Sequence, residues 1–445
     1  MSTIIRNAKI VNEGIIREAD VWIKDGRIER IGNIPNSLTN QNEIDAKGLY
    51  LLPGVIDDQV HFREPGLTNK GEIYTEAKAA VAGGITSFME MPNTIPSATT
   101  IELLEQKYKR ASECSLANYS FYLGTTNNNL QELVKLDLVN NCGIKIFMGS
   151  STGDMLVDDP NALEAVFKNV EALIATHCEV DSVIKENAEI FRDKFGEDLP
   201  MKVHPLIRSA EACYASSTIA IDLAKKYNSR LHILHISTAI ETAHFRNDIP
   251  LKDKRITAEA CIHHLWFSDA DYERLGGLIK WNPAIKSIAD RDAIRKAVLD
   301  NRIDIIATDH APHTLEEKSQ SYFKCPSGGP LVQHALVAML EFVNEGWISI
   351  EKVVEKMSHS PAICFQVADR GFIREGYWAD LVLVDLNKSW KVQKDNILYK
   401  CGWSPFEAIT FNSSVVKTFV NGNLVYNIGE FDESKKGQRL LFNRK

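Results

Sequence analysis

Leu51–Arg63 reads LLPGVIDDQVHFR, an apolar run, Leu51–Ile56, that passes straight into Asp57, Asp58, Gln59, His61 and Arg63. The same arrangement recurs along the chain. Ile85–Met91 leads to Asn93, Gly143–Met148 encloses Lys145, and Ala172–Thr176 ends at His177. Leu231–Leu234 ends at His235, and Ile303–Thr308 runs into Asp309–His313. Strand-like runs, each closed by a residue able to hold a charge or a metal, are the pattern of an α/β chain folded as a (β/α)8 TIM-like barrel. The active site of such a barrel is assembled from the C-terminal ends of its parallel strands. Three histidines, an aspartate and a lysine aimed at one mouth predict a metal-dependent hydrolase.

Outward from that stretch, eight strands are expected: Val55–Phe62, Ile85–Met91, Asn118–Leu123, Gly143–Met148, Ala172–His177, Arg230–Ile236, Arg255–Ala260 and Ile303–Thr308. Amphipathic helical segments follow several of them, among them Glu72–Ala82, Asn161–Asn169, Ala210–Tyr227 and Asp290–Leu299. This alternation requires parallel pairing with right-handed crossovers. Gly149–Asp159 and Ala311–Pro330 lack strand character and follow strand ends, which assigns both to the catalytic face. The second carries Ser327-Gly328-Gly329-Pro330 and is a candidate mobile lid.

The two ends have a different texture. Ile4–Val11, Asp20–Lys24 and Arg27–Ile31 read as short strands, with Asp25-Gly26 as a two-residue hairpin turn. Asp380–Val384, Val415–Val420 and Asn423–Tyr426 repeat this around Asn421-Gly422. Neither end buries much core alone. Residues 1–52 and 365–445 are therefore expected to combine into a small β-sandwich beside a barrel of residues 53–364.

Over 445 residues, 44% hydrophobic and 25% charged is ordinary for a soluble enzyme. A net charge of -8 argues against non-specific binding to nucleic acid or an anionic membrane. No apolar stretch is long enough to span a bilayer, and Met1–Val11 lacks the features of a signal peptide. The eight cysteines are scattered without a CxxC pair and read as reduced core thiols. A cytoplasmic protein is expected.

A single histidine at a strand end is more often a hydrogen-bonded core residue than a ligand, and His204, His232, His244, His334 and His359 keep that reading. His61, His177 and His235 depart from it together, because each sits at the same end of a different strand. Lys145 is an ammonium inside an apolar strand, costly unless discharged or paired. His310 alternates away from the mouth, Cys178 reads as core, and His263 and His264 as packing near the rim.

At these positions the chain resembles the cyclic amidohydrolases, and within them the dihydroorotases, over essentially its whole length. The resemblance rests on Pro53–Gly66 (PGVIDDQVHFREPG), Met91–Thr94 (MPNT), Gly143–Gly149 (GIKIFMG) and Leu231–Thr238 (LHILHIST). It continues in Thr257–Glu259 with His263-His264, in Asn282-Pro283 and in Ala307–His313 (ATDHAPH). It implies zinc chemistry with metal ligands His61, Lys145, His177, His235 and Asp309. Lys145 is implied to react with carbon dioxide to give a bridging carbamate, and Asp309 to move the catalytic proton. Arg63, Asn93, Asn282 and His313 are implied to bind substrate, with Arg63 clamping a carboxylate. The implied reaction is reversible opening of dihydroorotate to N-carbamoyl-aspartate, in an enzyme that is a homodimer by base rates.

One position departs from that family. Most members carry His-x-His where this chain has Gln59-Val60-His61. An amide oxygen is a weaker zinc ligand than imidazole, so one firmly held zinc and a second, weaker one are expected. Two rival readings follow: an allantoinase or hydantoinase, separated by Arg63, and a non-catalytic homologue acting as a partner subunit. The second is opposed by the survival of Lys145, His177, His235 and Asp309. Glu179, two residues after His177, is expected to brace a ligand.

Overall fold

A computed structural model describes residues 2–35, 42–149 and 155–444. Its centre is a ring of eight parallel strands: β1 (Val55–Val60), β2 (Ile85–Glu90), β3 (Asn118–Phe121), β4 (Ile144–Phe147), β5 (Ile174–His177), β6 (Leu231–Ile233), β7 (Ile256–Cys261) and β8 (Ile305–Ala307). Parallel pairing runs β1–β2–β3 and β4–β5–β6–β7–β8. Beyond Tyr122 the β3 chain continues as Leu123–Gly124, which pairs with β4. The ring closes where Val60 bridges His310 in parallel and the His61 N–H donates to His310 O at 2.7 Å. Strands β1 to β5 are buried throughout, as parallel strands covered by helices must be.

The helices fall where the apolar spacing puts them: Ile73–Ala82, Pro160–Asn169, Ala210–Tyr227 and Ile288–Leu299. Ala210–Tyr227 shows why. Ser209 Oγ accepts the Ala212 N–H, Lys225 and Lys226 occupy the last turn, and Asn228 turns left-handed at φ 54 to end the helix.

Both chain ends enter one nine-stranded sheet. Tyr50–Pro53 lies between Ser2–Asn12, which it pairs in parallel, and Leu381–Asp385, which it pairs antiparallel. Ile10, Val21, Ile23, Leu51, Leu381, Leu383 and Phe419 bury one another, giving the β-sandwich its own core. Both hairpin turns have the positive φ of a primed turn: Asp25 51 and Gly26 83, then Asn421 50 and Gly422 75.

Two stretches of the chain after residue 365 lie against the barrel instead. Leu440 N–H donates to Tyr119 O at 2.9 Å, and Phe442 N–H to Val139 O at 2.9 Å. Trp403 Nε1 reaches His313 O at 2.7 Å, beside the catalytic face.

Candidate active site

The C-terminal ends of the strands enclose a cavity of about 300 Å³. His61, Arg63, Asn93, Lys145, His177, His235, Asn282, Asp309 and His313 all line it, so every sequence-derived site residue meets the others here. Three of them sit where the strand breaks into the left-handed region: Arg63 at φ 70, His235 at φ 38 and Asp309 at φ 48. Such backbone strain is held only where surrounding contacts fix it, and it turns these side chains into the mouth.

His177 Nδ1 and His235 Nε2 stand 3.0 Å apart. On its other side, His177 Nε2 lies 2.9 Å from Glu179 Oε2, and Glu179 is ion-paired with Arg208. The His235 backbone N–H is anchored on Glu259 Oε1 at 3.0 Å. Across the cavity, His61 Nδ1 donates to Asn93 Oδ1 at 2.7 Å. That bond leaves the Nε2 lone pair of a neutral His61 facing Asp309 Oδ1, 3.2 Å away.

Burial sets the charge states. It drives the pKa of His61 and His235 well below that of free imidazole, the neighbouring cations adding to the effect. It also lowers Lys145 to about 7 against the partial support of Asp309, and raises Asp309 to about 7 despite Lys145. The Lys145 ammonium has no hydrogen-bond acceptor among the described residues and lies 4.6 Å from the Phe147 ring centre. Glu179 goes the other way: against the cost of burial, Arg208 and His177 hold it down to about 2.

The amidohydrolase family model matches residues 50–425. The chain belongs to the amidohydrolase family. It is 33% identical to a dihydroorotase of Methanosarcina acetivorans over 417 residues, 91% of this chain and 88% of that protein. It is 34% identical to a dihydroorotase of Bacillus subtilis, over 96% of this chain and 99% of that one. Among solved structures, the L-hydantoinase (dihydropyrimidinase) from Arthrobacter aurescens superposes with a TM-score of 0.93 at 26% identity, covering 99% of both chains.

This amidohydrolase's mouth fits a metal ion. Two imidazoles paired nitrogen to nitrogen at 3.0 Å, and a third whose Nε2 lies 3.2 Å from a carboxylate oxygen, are a donor set of the kind that zinc takes. Arg63 is short of a partner. Its Nε donates to Pro312 O at 3.0 Å and Nη2 lies 3.1 Å from His313 Nε2, but among the described residues no carboxylate is within ion-pair distance. Asn282 Oδ1 is buried with no hydrogen bond.

Phe147, Arg208 and Trp281, which sequence reasoning passed over, also line the cavity of the amidohydrolase, as does Gln59. Arg208 precedes the helix Ala210–Tyr227 in a connection with no strand period, and only its contact with Glu179 reveals it. His310 points away from the mouth, as alternation requires, with Nε2 2.8 Å from Glu76 Oε2. His204 is satisfied by Tyr322 Oη and Trp281 O, as a core histidine should be.

The expected lid, Ala311–Pro330, is tied down. Lys280 Nζ donates to Tyr322 O and Cys325 O, and Lys318 Nζ to Lys280 O and Pro326 O, which holds Pro326–Gly328 against the cavity. Gly328, at φ 126, could carry no side chain, since a Cβ there meets Ala311 O at 2.5 Å. Of the other expected loop, Gly149–Asp159, residues 150–154 lie outside the described residues.

Proposed function

We propose that this amidohydrolase is a dihydroorotase, hydrolysing the ring amide of dihydroorotate to N-carbamoyl-aspartate, and closing it again, in pyrimidine biosynthesis. The observation that carries the reading is Arg63. It is buried at the cavity and lowered by that burial only to about 10, so it stays a cation without an anion beside it. A buried guanidinium of this kind calls for a planar, two-oxygen partner, and dihydroorotate brings a carboxylate. Hydantoin and allantoin bring none.

His177, His235 and Lys145 would hold one metal, and His61 with Asp309 the second. Zinc held by such ligands polarises a carbonyl and makes water acidic near neutral pH. Lys145 joins the ligands as a carbamate. Its neutral amine, well populated with a pKa near 7, attacks carbon dioxide and releases a proton. A buried cation thereby becomes an anion. Arg63 fixes the substrate carboxylate, and Asn93, Asn282 and His313 offer polar atoms to the ring. Asp309, with a carboxyl pKa near 7, takes a proton from water as it adds to the carbonyl carbon. It returns the proton to the ring nitrogen as the C–N bond breaks.

We place the enzyme in the cytoplasm. Its eight cysteines are unpaired, and no helix among the described residues is long and apolar enough to cross a membrane. A spectrophotometric assay of metal-replete protein with dihydroorotate, hydantoin and allantoin side by side tests the substrate. Turnover of dihydroorotate is expected; turnover of hydantoin or allantoin alone overturns the reading.

A further inference from the structure

Beneath the cavity floor lies a second group of donors that the reaction does not use. Asp58 on β1, His232 on β6 and Glu259 on β7 are fully buried inside the barrel, and none of them lines the cavity. His232 Nε2 lies 3.1 Å from Asp58 Oδ2 and 3.3 Å from Glu259 Oε2. One donor atom from each residue falls within 4.8 Å of the others.

We propose that Asp58, His232 and Glu259 form a separate, structural site for a zinc-type divalent cation. The histidine is set for it. His232 Nδ1 lies 2.8 Å from Thr257 Oγ1, which also reaches Leu231 O at 3.3 Å; with Nδ1–H donating to Thr257, a cation that displaces the Nε2 proton would meet a lone pair between the two carboxylates. Zinc bonds of about 2.0–2.2 Å give tetrahedral donor-to-donor edges of about 3.3–3.6 Å, close to the 3.1 and 3.3 Å from His232 Nε2 to the two carboxylates.

Asp58 supplies the independent observation. Both of its oxygens are buried and accept no hydrogen bond, although Oδ2 is near His232. Without a cation the two carboxylates hold His232 as an imidazolium, well above the usual imidazole pKa, but its single Nε2 proton cannot serve both, and burial together with Asp58 pushes Glu259 above the usual carboxylate range. Asp57, the chain neighbour of Asp58, shows the contrast, since it accepts from Gln59 N, Thr308 N and Thr308 Oγ1. A divalent cation neutralises both carboxylates at once and gives Asp58 the partner it lacks. The ion would tie β1 to β6 and β7 across the barrel, directly under His235, whose backbone N–H Glu259 already holds.

Anomalous diffraction at the zinc edge, from zinc-soaked crystals of the full chain, tests this. A peak bonded to His232 Nε2, Asp58 and Glu259 is expected, apart from any peak at His177 and His235. Asp58→Asn, which keeps the shape, is expected to lose the inner peak, keep the mouth peak and retain one equivalent less metal after dialysis. A wild-type map with metal at the mouth and none between Asp58, His232 and Glu259 overturns the inner site. So does an Asp58→Asn protein that keeps its full metal content. Metal in the inner site alone supports this inference while counting against the catalytic reading of the mouth.

Discussion

Gln59 holds Asp309 side chain to side chain: its amide nitrogen donates to Asp309 Oδ1 at 3.1 Å. Its oxygen is turned away, with Cys261 Sγ 3.6 Å from Oε1. The glutamine thus presents an N–H to the mouth where an imidazole would present a lone pair, and it braces the Asp309 carboxylate. We expect the His61–Asp309 side to lose its metal first on dialysis. Gln59→His should raise the retained mouth metal towards two ions per chain, measured by elemental analysis against Asp58→Asn to remove the inner site from the comparison. Equal retention of both mouth ions by the unmodified protein would show that Gln59 costs the site nothing.

Arg63→Ala leaves the substrate carboxylate buried and unpaired. Truncating one partner of a buried, hydrogen-bonded charge pair costs about 2–5 kcal/mol, so kcat/KM for dihydroorotate should fall by about 30-fold to several thousand-fold. Arg63→Lys should recover only part of this, since a point charge cannot make the two-pronged contact. Steady-state kinetics decide it, and wild-type efficiency in Arg63→Ala would remove the substrate assignment.

Lys145→Ala removes the amine that is to become a carbamate. We expect mouth metal to drop after dialysis and activity to fall with it, and short carboxylic acids such as acetate or propionate to restore a fraction of both. Mass spectrometry under mild conditions, or a map of metal-loaded crystals, reads the modification directly in the wild type. An unmodified amine beside bound metal contradicts the idea.

The mouth was legible because a barrel converts position along a strand into position in space. His61, His177, His235 and Asp309 needed only to end their strands to meet. What alternation could not place were residues at irregularities. The β1–β2 register slips between Asp57 and Val60, so counting from His61 gives no reliable direction for Asp58, which in fact turns inward to His232. The third strand was read as continuous to Leu123 but breaks at Tyr122, whose hydroxyl donates to Asp58 O at 3.0 Å. His232 read as an ordinary core histidine because nothing local marks the two carboxylates that other strands bring to it. Arg208 and Trp281 come from connections, where residue type carries no period and only the tertiary fold assigns a neighbour. The tied-down loop after Asp309 has the same cause, since its Gly and Ser content suggested a lid while Lys280, remote in sequence, and Lys318, within the loop, fasten it.

That fastening predicts a pH dependence. Burial lowers Lys318 to about 7, far below the roughly 10.4 of a free lysine. Between those values the unfolded chain binds a proton that the folded chain has given up. Stability from this group therefore climbs as pH rises from about 7, and the burden of the buried ammonium is greatest below it. Lys318→Met removes the titration together with the bonds to Lys280 O and Pro326 O, each worth about 1 kcal/mol. The variant should open residues 311–330 to limited proteolysis and raise KM, because Pro326–Gly328 wall the cavity. The difference in melting temperature, wild type minus variant, should shift in favour of the wild type from about pH 6 to about pH 9. A difference that stays constant over that range would mean that Lys318 does not change its protonation on folding, and a loop that resists protease in the variant would mean that these bonds do not hold it.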